Sequence, residues 1–178
     1  MHNPCLRIFA IACISAMPLS AAAQCGTVDR SSAAAVTAEV NHIYNQTLDG
    51  MQHTLPSGSK AITWAPPADS VREQIKCLGP LAVPAIVELL HNGHRSFGHY
   101  LTIRMLGWAG GPDIVPPLAE ILSRPDDLQI GLKSEALESL AAAPSDKALP
   151  VIEGFLRSEK NRSLIEEANA VAERIKAQ

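Results

Sequence analysis

Two stretches decide the fold: GPLAVPAIVELL, Gly79–Leu90, and GPDIVPPLAEIL, Gly111–Leu122. They align without a gap at an offset of 32 residues. The shared pairs are Gly79/Gly111, Pro80/Pro112, Val83/Val115, Pro84/Pro116, Glu88/Glu120 and Leu90/Leu122. A third copy, SDKALPVIEGFL, runs from Ser145, and its Pro150 lies 34 residues beyond Pro116. Self-similarity at this period is the mark of a repeat architecture. Relative to the recurring proline, apolar residues fall at −1, +2, +5 and +6, which is a helical stripe and not strand alternation. Pro84, Pro116 and Pro150 fit a first helical turn, where the missing N–H would have no helical partner.

Each copy follows a second apolar-periodic segment. Val71–Leu78 carries Val71, Ile75 and Leu78; Phe97–Ala109 carries Phe97, Leu101, Met105 and Trp108; Leu132–Ala142 carries Leu137, Leu140 and Ala141. A last helix, Ser163–Ala177, carries Leu164, Ile165, Ala168, Val171 and Ile175. Asn92-Gly93 and Gly110-Gly111-Pro112 read as terminators. Helix pairs of about 33 residues cannot bury their stripes alone and must stack on neighbours. The expected fold is all-α, a short α-solenoid of stacked antiparallel helix pairs without a sheet.

These copies, with Met105-Leu106-Gly107 as a helix end, resemble the HEAT-like repeats of the phycobilin-lyase type. The resemblance covers residues 70–178 and implies the α-solenoid; it carries no catalytic residue across. Such repeats often hold a Val-Arg pair in the first helix, where this chain has His99-Tyr100 and Lys133-Ser134.

Upstream the pattern changes. Residues 1–23 combine Arg7, an apolar run from Ile8 to Leu19 and the small residues Ser20 to Ala23, the pattern of a secretory signal. The run is short of the roughly 20 residues that span a bilayer. Cleavage after Ala23 is expected, giving an exported periplasmic or secreted protein with no transmembrane segment in the mature chain. The alternatives are an uncleaved buried helix and a lipid anchor on Cys25. Residues 24–69 read as an N-terminal cap on the repeat domain 70–178. In that cap Ser31 or Ser32 starts a helix through Val36, Val40, Ile43, Tyr44 and Leu48, followed by a loop over His53–Ala68 that contains Trp64.

Of four cysteines, Cys5 and Cys13 leave with the signal. Cys25 and Cys77 remain as an even pair, expected to form a disulfide in an oxidising compartment. Such a bond would stabilise by roughly 3–4 kcal/mol through its loop of about 50 residues. The alternative is two separate thiols, with Cys77 in the core. No CxxC motif is present.

The chain has 178 residues, 47% of them hydrophobic and 4% aromatic, with net charge −3. Removing Arg7 with the signal makes the remainder one unit more acidic. That balance argues against phosphate binding and against base stacking, so no nucleic acid is expected. His91, His94 and His99 in HNGHRSFGH are the weak candidates for a metal site, set against solvated loop histidines. Asp126-Asp127 reads better as a turn and helix cap than as a catalytic carboxylate pair. The motifs GxSxG, HExxH, GxxxxGK[ST] and GxGxxG do not occur. The sequons Asn45-Gln46-Thr47 and Asn161-Arg162-Ser163 are short enough to arise by chance. No cofactor is implied. The expected function is a non-enzymatic module that binds a protein partner, a basic one if Glu88 and Glu120 form a carboxylate ladder on the second helices. The alternative is an enzyme or cofactor-handling factor that uses the His91–His99 loop.

Overall fold

The computed structural model describes residues 28–54, 60–62, 69–92, 96–125 and 130–178. In chain order the elements are α1 (Ala33–Gly50), β1 (Gln52–Thr54), β2 (Lys60–Ile62), α2 (Asp69–Leu78), α3 (Val83–Asn92), α4 (Ser96–Ala109), α5 (Val115–Ser123), α6 (Ile130–Leu140), α7 (Ser145–Ser158) and α8 (Arg162–Lys176). Among the described residues the fold is all-α apart from one small hairpin. The signal segment, Cys25, Trp64, His94 and Asp126-Asp127 lie outside the described residues.

The helix starts follow local chemistry. Ser32 caps α1, its hydroxyl accepting from the Ala35 N–H at 3.2 Å. Asn161 caps α8, its Oδ1 accepting from the Ser163 and Leu164 N–H groups at 3.0 and 3.3 Å. Pro84 and Pro116 are the second residues of α3 and α5. Each follows a 3-10 turn, Gly79–Ala82 or Pro112–Ile114. A proline six residues into a helical stretch would leave the carbonyl four residues back without its donor. Here the Val83 N–H takes the Pro80 carbonyl and the Val115 N–H takes that of Pro112, so the tighter turn uses the acceptor.

The third copy differs from expectation. Pro150 is inside α7, whose helix runs from Ser145 as α-helix throughout. Gly79 (φ +57) and Gly111 (φ +86) reverse the chain ahead of the first two copies. The third has instead Pro144 in an extended conformation (φ −56, ψ 138), which lets the α-helix begin a turn and a half before Pro150. The second difference is the antiparallel hairpin of β1 and β2, with Gln52 opposite Ile62, His53 opposite Ala61 and Thr54 opposite Lys60. The sequence reading has a loop here and no sheet. Two extended segments on either side of Pro56-Ser57-Gly58 can satisfy each other's backbone groups, which a bare loop leaves to water.

The packing has a simple adjacency. The helix α2 lies against α4, α4 against α6, and α6 against α8; α1 lies against α3, and α5 against α7. Across these two rows α3 packs on α4, α5 on α6 and α7 on α8. Each proline helix therefore makes its close hairpin with the helix after it, one step out of phase with the pairing expected from sequence. The same logic gives α1 a partner in α2. The recurring +2 residue is the anchor: Ile86, Leu118 and Ile152 are all fully buried. On α8, Leu164, Ala168, Val171 and Ile175 turn inward as expected, while Ile165 is half-buried.

Gly107 is not the helix end, since α4 continues to Ala109 and Gly110 (φ +67) ends it. Its task is close approach. A Cβ at Gly107 would meet Ser139 Oγ at 2.8 Å and the Ser139 Cα at 3.1 Å. The Ser139 hydroxyl crosses the same gap to donate to the Ile103 carbonyl at 3.0 Å. Gly107→Ala should therefore push α4 from α6 and destabilise by about 1–3 kcal/mol. A denaturant midpoint unchanged from wild type would contradict this close contact.

A second tie is ionic. Lys133 of α6 donates to Glu159, in the link between α7 and α8, at 3.0 Å; their side chains are 8% and 10% exposed. Glu159 also accepts from the N–H groups of Lys160 and Asn161 at 2.8 and 2.9 Å. The ammonium in turn lies 5.8 Å from the Phe155 ring centroid. Chiefly the Asn161 N–H, and then Lys133, hold the Glu159 carboxyl below the usual carboxylate range against the opposing effect of burial. The folded chain thus binds this proton more weakly than the unfolded chain. Its contribution is complete above the unfolded value of about 4.3 and is lost as pH falls through the folded value. Glu159→Ala leaves Lys133 buried with its carboxylate removed and should destabilise by roughly 3 kcal/mol. Lys133→Met leaves Glu159 two backbone donors and should destabilise less. Equal losses in chemical denaturation at neutral pH would refute the asymmetry.

Candidate functional site

Of the residues singled out from sequence, the structure joins His91 to Glu120. Glu88 and Glu120 are exposed on α3 and α5 at equivalent positions, as the repeat requires. Glu120 is already engaged: Arg124 Nη2 lies 2.9 Å from its Oε1, and His91 Nε2 lies 3.5 Å from its Oε2. These contacts, Arg124 first, hold the Glu120 carboxyl below its ordinary value. His91 is therefore a link from α3 to α5, while His99 sits on α4, its carbonyl accepting from the Thr102 hydroxyl at 2.9 Å. Among the described residues no three His, Cys, Asp or Glu side chains group closely enough to hold a metal ion.

Cys77 is at the end of α2, and its Sγ accepts from Arg30 Nη2 at 2.9 Å. It is the one cysteine among the described residues. Both sequons are built into helices. The Thr47 hydroxyl is buried on the Ile43 carbonyl at 2.7 Å, and Asn161 is the α8 cap described above.

A concavity that no motif announced lies on the other row. A cleft of about 430 Å³ opens across α2, α4 and α6, lined by Asp69, Arg72, Arg104, Gly107, Trp108, Glu135, Glu138 and Ser139. Its residues come from three helices, and the repeat period of about 33 residues brings them together. The Arg104 fork closes on Glu135, with Nε to Oε1 at 2.8 Å and Nη2 to Oε2 at 3.0 Å. The same guanidinium lies 5.5 Å from the Tyr100 ring centroid. On the rim Arg72 meets Asp69 at 3.0 Å, and Arg174 of α8 meets Glu138 at 2.6 Å.

Tyr100 and Ser134, at equivalent positions on α4 and α6, make equivalent contacts. Tyr100 hydrogen-bonds Glu135, and the Ser134 hydroxyl donates to Glu167 at 2.6 Å. Each therefore meets a carboxylate on the next helix of its row. Chemically the cleft is a set of fixed, opposed charges beside an indole. Ser139, the hydroxyl in it, is committed to a backbone carbonyl and has no base in its hydrogen bond.

Burial, and then the bond to Glu135, raise the Tyr100 phenol above its ordinary value. In a Tyr44→Phe background Tyr100 is the one remaining tyrosine of two. Its absorbance titration should have a midpoint above about 10, and Glu135→Gln should lower it. A midpoint that Glu135→Gln leaves in place would dissociate the two groups. No family model, curated protein or solved structure matches the chain.

Proposed function

We propose that the chain is an exported, non-enzymatic interaction module, a short α-solenoid of the HEAT-like kind that presents its helices to a protein partner. The observation that carries this reading is the row adjacency, α2 to α4 to α6 to α8, against which α3, α5 and α7 pack with equivalent buried residues at Ile86, Leu118 and Ile152. A stack of this kind buries one side of each helix and leaves the other as an extended surface, the usual recognition face of repeat proteins. Glu88 and Glu120 stand on that surface at one-repeat spacing and favour a partner with Lys or Arg. The signal-like segment 1–23 supports export to the periplasm or beyond.

Export also supports the Cys25–Cys77 disulfide. The Arg30–Cys77 contact brings the chain to within five residues of Cys25 beside the Cys77 sulfur. The bond would tie the N-terminal segment to α2.

Cross-linking in the envelope fraction followed by reconstitution with the isolated partner tests the module. Association should slow as salt rises. The double variant Glu88→Lys, Glu120→Lys should weaken it at least about fivefold, with stability changed by about 0.5 kcal/mol per exposed site. Normal binding by that variant refutes the carboxylate ladder. Turnover by the purified chain, abolished by changing His94 or His99, refutes the non-enzymatic reading.

A further inference from the structure

We draw no further inference here: the strongest candidate, the cleft across α2, α4 and α6, has its three carboxylates Asp69, Glu135 and Glu138 already paired with Arg72, Arg104 and Arg174, and nothing in the structure shows what covers it.

Discussion

Helix α4 has almost no face to give to water. Leu101, Thr102, Ile103, Met105 and Leu106 are all completely buried, and they cover most of the circumference of the helix. A helix of this kind is unstable unless it is covered on several sides, and α1, α2, α3 and α6 all supply contacts. Of these, α2 and α3 are amphipathic and need α4 to cover their stripes. The N-terminal helix, the first proline helix and the second half of the chain are thus joined through one element. Even its polar interior residue is self-contained, since Thr102 bonds the His99 carbonyl of its own helix.

The architecture was legible because its signals are local and repeated. The proline-anchored stripe marked α3, α5 and the core of α7, and the Ser32 cap and the Gly110-Gly111 stop needed no tertiary information. What could not be read depends on distance in space. The hairpin of β1 and β2 is six residues with no alternation to reveal it. The early start of α7 follows from Ser145, already helical after an extended Pro144, where the first two copies hold positive-φ glycines. The phase of the pairing was hidden because both helices adjoining each proline helix in sequence carry buried apolar residues, and only the geometry of the connections selects one of them.

The candidate site was less legible for the same reason. Glu88 and Glu120 recur in register, so the period alone found them. The cleft residues share no motif: Arg104 and Glu135 are 31 positions apart, and Gly107 reads as a helix stop until Ser139 is seen against it. One signal was present, in the two places where the repeat pattern leads to an expectation of arginine. Tyr100 and Ser134 stand there, and each addresses a carboxylate on the next helix, Glu135 and Glu167.

A terminal helix pair is the part of a helical fold most prone to open alone. The Lys133–Glu159 pair works against that. It joins α6 to the α7–α8 link rather than α7 to α8, so separating the terminal hairpin from the rest exposes an ion pair as well as an apolar seam. Opening of the α7–α8 hairpin therefore has to break a buried ion pair with α6 as well as its apolar contacts. Amide protons of α8 should then exchange more slowly than those of a free helical terminus.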